Sequence, residues 1–488
     1  MIRSISCLRL FFESRSALSC QLAAALLVLA APLSAHAADA RAPVAGGLTA
    51  DEVARRAREV SPELRARAEA RAAADEAVAQ ARDAFIPHLT GTARYTRVSN
   101  LTLPSLGNLV IAPPDAQPGA PADPARLVVY PLRFPVILDQ YLGQATLQVP
   151  LSDYFLRLPQ AHAAATANAR ASALTEEAAR LRVASDARAS YYAWVRARLA
   201  TGIARQGLDQ AHAHLGDVNQ AAGAGAASRA DVLRVESQVA AAELLLARAQ
   251  SLAAVTEQQL RTAMHDSSHQ RYEIGENVEA PPSDTIAFAP GDAALDGLRT
   301  EAATRRLEPQ ALLEGAGASR AQGTVALSAG LPRVDAVGDA IYANPNPRIF
   351  PQDAVYRGSW DASVQLSWAI TDLPGATAAR RAAHARASAL EAEREQLLDA
   401  IGLEVTQAAE ALSEARVAIE STRRGVGSAE ESYRVRRVLF QNGRATSVEL
   451  TDAETELTRA RLDLANAQID LRLANVRLVH ALGRDVTR

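Results

Sequence analysis

The chain contains no lysine: arginine supplies all 52 of its basic residues. That absence excludes a Walker A phosphate loop, a pyridoxal-phosphate Schiff base and a Ser-x-x-Lys nucleophile, each of which needs a lysine amine. Cysteine occurs only at Cys7 and Cys20, and aromatic residues fill just 4% of the 488 positions. Basic charge is not in excess, since the formal net charge is −3, and this argues against a nucleic-acid partner. Alanine, by contrast, dominates an apolar content of 48%. It favours helix and lets helices approach closely without building a thick globular core. The composition therefore points to long packed helices and away from an enzyme.

Residues 1–37 read as a secretory signal peptide. Arg3, Arg9 and Arg15 form the basic start, Leu22 to Ala31 the apolar stretch, and Ala35-His36-Ala37 the small-residue cleavage site. The stretch is about half of the ~20 residues needed to span a bilayer. Cleavage after Ala37 removes three arginines and Glu13, leaving a formal −5. It also removes both cysteines, so the exported chain has no disulfide, thiolate metal site or cysteine nucleophile. Ala17-Leu18-Ser19-Cys20 resembles a lipoprotein box, but it precedes the apolar stretch instead of following it. No later segment reads as apolar and long enough for a transmembrane helix, so membrane entry would require a β-barrel.

The rest of the chain is written twice. At an offset of 218, Gly225-Ala-Ala-Ser228-Arg-Ala-Asp231 lies over Gly443-Arg-Ala-Thr446-Ser-Val-Glu449. Farther on, Glu236, Leu244, Leu246 and Gln250 match Glu454, Leu462, Leu464 and Gln468. The reading is a signal peptide at 1–37, a first repeat at 38–265, a linker at 266–291 and a second repeat at 292–488.

Each repeat shows the same order of elements. A helix starts at the capping box Thr49-Ala-Asp-Glu52, breaks near Pro62 and ends before Pro87; its counterpart runs from about Asp292, breaks near Pro309 and ends before Pro332. Two alternating strands follow, apolar on one face: Leu89 to Tyr95 and Tyr141 to Leu151, then Val334 to Tyr342 and Trp360 to Ile370. Between them, 101–140 holds eight prolines and 344–358 contains Asn344-Pro345-Asn346-Pro347, loops unsuited to regular structure. Long helices from about Pro159 to Ala221 and Pro374 to Phe440 come next, each roughly 90–100 Å long. Turns at Gly223–Gly225 and Gly443 lead into returning helices, 228–264 and 446–482. Four strands cannot close a transmembrane barrel, which begins at about eight, so the chain must oligomerise. The fold class is an α+β membrane protein: a tandem-duplicated helical coiled coil with four transmembrane strands per chain.

This order resembles the TolC-like outer membrane efflux protein family. The most specific match is Phe440-Gln-Asn-Gly443-Arg-Ala-Thr446-Ser-Val-Glu449-Leu-Thr-Asp452-Ala-Glu454, supported by Ala81 to Pro87 and by Asp153. The resemblance covers about Leu48 to Gly483. It implies a homotrimer with a twelve-stranded barrel in outer-membrane lipid and a helical tunnel across the periplasm. The shorter helices, 49–84 with 228–264 and 293–330 with 446–482, would complete the tunnel wall. The implied partners are a periplasmic adaptor and an inner-membrane transporter of the RND, ABC or MFS kind. The implied role is a passive exit duct for efflux or type I secretion, with no cofactor, no metal and no catalysis. The alternative is an exported coiled-coil structural protein without channel activity.

By this resemblance Glu449, Asp452 and Asp231 belong to the periplasmic entrance, where three copies would form rings of like charge that filter ions by sign. Glu449 and Asp231 also sit in capping boxes, where an acid stabilises a first helical turn without any gate. Gly225, Ser228, Gly443 and Thr446 form the helix-tip turns and the expected adaptor contact. Here Arg234 replaces the family's second acid, and Phe440 stands where a tyrosine is common. Gly223-Ala-Gly225 follows a helix, not a strand, and so does not fit a dinucleotide loop. His212 and His214 are too close in sequence to share a helix face as metal ligands, and the pair reads as part of a solvated helix. Stripes such as Leu244 with Ala249 read as coiled-coil packing.

Overall fold

The computed structural model describes residues 46–100, 107–111, 124–131, 136–268, 270–280, 286 and 291–485. The segment read as a signal peptide lies outside the described residues, as do Pro281 and Pro282 of the linker. The elements are α1 (Ala50–Val60), α2 (Pro62–Asp83), β1 (His88–Arg97), β2 (Asn108–Ile111), β3 (Val128–Pro131), β4 (Asp139–Val149), α3 (Leu158–Gly223) and α4 (Arg229–Ala263). There follow α5 (Asp292–Arg305), α6 (Glu308–Ser328), β5 (Arg333–Asn344), β6 (Arg357–Ser367), α7 (Leu373–Gln441) and α8 (Ser447–Ala481).

Helix ends fall where the backbone chemistry puts them. Glu52 N–H donates to the Thr49 hydroxyl at the start of α1. The Glu52 carboxylate does not return the bond; it pairs with Arg55 and Arg56. Ser61 then caps α2, whose first residue is Pro62, where the missing N–H costs nothing. The unbroken α3 and α7, with 66 and 69 residues, each extend roughly 100 Å.

β1, β4, β5 and β6 form one antiparallel sheet in that order. The register aligns Leu89, Leu147, Gly338 and Ala362 in one row, and Gly91, Ala145, Ala340 and Trp360 in another. Partners across a sheet share a face, so the alternation of each strand adds up to one apolar surface. That surface is bare: Trp360 is 79% and Leu89 71% exposed. The opposite face carries Thr90, Thr146, Asp339 and Asp361 in one row, with Thr146 and Gln144 donating to Asp339. Among the described residues, the outer edges of β1 and β6 have no neighbour in the sheet.

Three expectations need correction. The 101–140 stretch is not irregular throughout, because β2 and β3 pair as a hairpin within it. The Leu109-Val110-Ile111 and Val128-Val129 runs favour extended backbone, and Pro131 sits at the end of its strand, where its lost donor is tolerated. Strand ends also move: β4 stops before Pro150, and Ile370 lies in a short 3-10 turn beyond β6. Finally, α4 is long and apolar enough to cross a membrane by length and composition, because alanine and leucine dominate it between Arg234 and Arg261.

Two hydrophobic cores lie at mid-length on the long helices. Around α3, Tyr191, Trp194 and Val195 are fully buried against Leu48, Val53, Leu260 and Ile274. Around α7, Ile401, Val405 and Leu412 pack with Leu298 and Leu478. Burial on this scale contributes about 1.5–3 kcal/mol for each large side chain. Segment 270–280, read from the sequence as part of the linker, adds Ile274 and Val278 to the first core. It also pairs with the segment just before α1 through a parallel bridge at Leu48 and Ile274. There Gly47 and Gly275 meet backbone to backbone, where a Cβ on Gly275 would lie 2.3 Å from the Gly47 carbonyl oxygen.

Candidate functional site

The residues singled out at the helix tips occupy two matched hairpin turns. α3 ends in a Schellman turn: Gly225 N–H donates to Ala222 O and Ala226 N–H to Ala221 O, with Gly225 at φ +75°. α7 ends the same way, through Gly443 N–H to Phe440 O and Arg444 N–H to Leu439 O, with Gly443 at φ +68°. Both glycines take up the left-handed conformation that a side chain would resist.

Each returning helix opens with a reciprocal capping box. Asp231 N–H donates to Ser228 Oγ at 3.2 Å, and Ser228 N–H donates to Asp231 Oδ2 at 2.9 Å. In the second hairpin Glu449 N–H donates to Thr446 Oγ1 at 3.3 Å, and Thr446 N–H to Glu449 Oε2 at 2.8 Å. The Ser228 hydroxyl and N–H hold the Asp231 carboxyl below its ordinary range. For Glu449 the Thr446 N–H is the larger cause, then the Thr446 hydroxyl, and the direction is the same. Arg436 reaches the Glu449 carbonyl at 3.4 Å. Asp452, one turn on, is exposed.

The fold brings the two tips side by side. Phe440 of α7 joins the small core of Val218, Val232 and Val235 made by α3 and α4, and Gln238 bonds Thr455 across the hairpins at 3.1 Å. Within one chain, however, the described bonds of the Asp231 and Glu449 carboxylates go to their own capping residues, not to the other hairpin.

What does join the hairpins was missed in the sequence. His214 is not on a solvated face: it is 2% exposed. Its Nδ1 lies 3.2 Å from Glu454 Oε2 and its Nε2 3.3 Å from Ser447 Oγ, and both partners are 5% exposed. The Phe440 ring packs edge-on against it, with centroids 5.3 Å apart. The signal was in the spacing. His214 continues the buried rhythm of Ala211 and Val218, and Glu454 lies between Leu450 and Leu457 in the buried stripe of α8. Considering the histidines only as a ligand pair hid this.

The middle of the molecule is held differently. Tyr191 OH donates to Leu48 O at 2.8 Å, and Tyr192 OH to Glu276 Oε2 at 3.1 Å. Burial drives both phenols well above their ordinary range. Glu276 Oε1 also accepts from Ala50 N–H at 2.6 Å, so one carboxylate ties α3 to the start of α1. Among the described residues no group of three or more His, Cys, Asp or Glu is placed to hold a metal ion.

With the geometry in view, the likeness to known proteins is informative. No curated protein matches the chain in sequence. Among solved structures, the outer-membrane channel OprN is 20% identical with a TM-score of 0.71, covering 90% of this chain and 91% of that one. The CmeC outer membrane channel of Campylobacter jejuni is 14% identical at TM-score 0.70, covering 90% and 89%. The open-state MtrE outer membrane channel of Neisseria gonorrhoeae is 16% identical at TM-score 0.70, covering 89% of each chain. At these identities the likeness establishes the fold. The family model described as Outer membrane efflux protein matches residues 53–264 and 301–484, which is most of the sequence. The chain belongs to the outer membrane efflux protein family, TolC-like channels of the cell outer membrane that extend into the periplasm.

Proposed function

We propose that three copies of this chain form a passive exit duct, which opens at its helical tips when a periplasmic adaptor and an inner-membrane pump engage. The observation that carries this reading is the sheet, with two unpaired outer edges and one bare apolar face. A sheet edge in lipid leaves backbone N–H and C=O groups unsatisfied, so an open four-stranded sheet is not viable there. Three chains supply twelve strands, within the range of known barrels. The apolar face then meets lipid and the polar face lines a wet lumen.

The helices support the same assembly. Leu244, Leu252 and Val255 on α4 are about half exposed, while Leu403 and Val417 on α7 are 58% and 70% exposed. α4 packs along α3 from the tip, at the end away from the sheet, so its apolar stripe suits a neighbouring chain better than lipid. At the tips Glu449 and Asp452 would form two rings of three acids, and Asp231 would stand beside them. Gly225, Ser228, Gly443 and Thr446 supply the turns that an adaptor would touch. The transporter behind it is of the RND, ABC or MFS kind, serving efflux or type I secretion.

Single-channel conductance in a planar bilayer tests the reading, with wild type set beside the double variant Glu449→Ala/Asp452→Ala. Small cation-selective openings that enlarge in the variant are expected. Unchanged openings would reduce the two acids to helix caps. Silence from folded protein would overturn the duct in favour of an exported coiled-coil structural protein.

A further inference from the structure

Ser447, His214 and Glu454 stand in the order of nucleophile, base and orienting carboxylate, yet this is no hydrolytic site. Ser447 is 5% exposed and set in the first turn of α8 inside the bundle, so no substrate carbonyl reaches its oxygen. A buried histidine between two hydrogen-bonding partners has another use. We propose that His214, Glu454 and Ser447 form a proton-sensitive latch fastening the α7–α8 hairpin to α3 just behind the tip. Its role as a gate rests on the duct reading; the latch itself is a property of one chain.

Both ring nitrogens keep a partner in either protonation state. An ionised Glu454 can only accept, and an Nδ1–H of His214 is the donor that this distance pairs with it. With a neutral ring, the Ser447 hydroxyl donates to Nε2; with a charged ring, Nε2–H donates and the hydroxyl turns to accept. Protonation therefore breaks no bond. It changes the charge of the cluster, from one buried carboxylate beside a neutral ring to a neutral ion pair. A lone buried charge costs more than a hydrogen-bonded pair, and a charge-assisted bond is the stronger one.

The surrounding groups leave that balance to the latch. On α8, Arg461 is taken by Glu430 of α7 at 2.8 Å. α7 also brings Phe440, Arg437 and Tyr433, the last held above its ordinary range by burial. α3 brings Asp217, which faces Tyr433. α4 contributes the apolar Val232 and Val235 to this layer, while its Arg234 and Glu236 are exposed. The duplication makes the point sharper: Glu236 is the sequence counterpart of Glu454, yet only Glu454 is buried against a histidine. The latch is tighter with the ring charged than with the ring neutral, because the charged ring pairs the buried carboxylate.

Amide hydrogen exchange of the intact detergent-solubilised protein at pH 6.0 and 8.0, corrected for intrinsic rates, tests this at residues 447–457 and 211–218. Wild-type protection there is expected to be severalfold higher at pH 6.0 than at pH 8.0. Residues 188–203 should not respond. Glu454→Gln and His214→Gln should abolish the difference, while Ser447→Ala, which leaves the ion pair intact, should keep it at a lower baseline. Equal wild-type protection at both pH values would overturn the latch, as would a pH response that survives Glu454→Gln. Because exchange needs no channel, conductance that fails to follow a working latch would count against the gate and not against the latch.

Discussion

The helix α3 passes through two quite different environments. At mid-length Tyr191 and Trp194 are fully buried among side chains from α1, α4 and the 270–280 segment, and the Tyr191 and Tyr192 hydroxyls are bonded to Leu48 and Glu276. Some 20 residues on, Val218 of the same helix packs with Val232, Val235 and Phe440, beside the buried His214 with its two partners, and the helix then ends in a glycine turn. Stability is not uniform along a structure, and the parts that move are drawn from the weakly held end. The contrast teaches that the middle is an anchor and the tip a fastening, with polar bonds where the anchor has apolar area.

The largest effect should come from breaking the anchor. Trp194→Ala removes a fully buried ring and is expected to cost about 3–5 kcal/mol, read as a lowered thermal midpoint. A midpoint that did not move would contradict the anchor. Next in size is the clasp between the segment just before α1 and the 270–280 segment. In Gly275→Ala the new methyl meets the Gly47 carbonyl carbon at 2.5 Å. Backbone must shift, at about 1–3 kcal/mol, and proteolysis near residue 47 should quicken.

The tip should respond more locally. Gly443→Ala forces a side chain into the left-handed region at roughly 1–2 kcal/mol. Cleavage at 441–446 should increase while the thermal midpoint stays, and a midpoint shift like that of Trp194→Ala would erase the contrast.

The smallest effect is the pH response of the caps. The Asp231 and Glu449 carboxyls are held below their ordinary values by their capping residues. The stability they contribute is fully present above the unfolded carboxylate range, and it is lost as pH falls through the lower folded values. Exchange at 228–232 and 446–450 should therefore rise below about pH 4, with 188–203 unchanged.

Much of this architecture was legible in the residues. Pro62, Pro309 and the Ser or Thr caps mark helix starts by removing or accepting an N–H. Strict alternation marked the four long strands, although Pro150 ended one of them early. The β2–β3 hairpin was hidden because prolines between two apolar runs outweighed the runs themselves. The burial of Ile274 and Val278 was hidden because a segment rich in turn residues reads as a connector. The latch was least legible: His214 and Glu454 lie 240 positions apart, and only the packing of α3 on α8 joins them.

Copies of this chain are expected to close one another's sheet edges, and cysteine cross-linking of β1 to β6 tests that closure. Both natural cysteines, Cys7 and Cys20, are replaced by serine so that introduced thiols report alone. Thr92→Cys on β1 is combined in turn with cysteine at Ser359, Asp361, Ser363, Gln365 and Ser367, on the same face of β6. A disulfide needs Cα atoms within about 7 Å, which neighbouring positions of this series bracket. One register is expected to give a ladder that ends at three chains. No inter-chain product at any register, from protein with native melting, would contradict it.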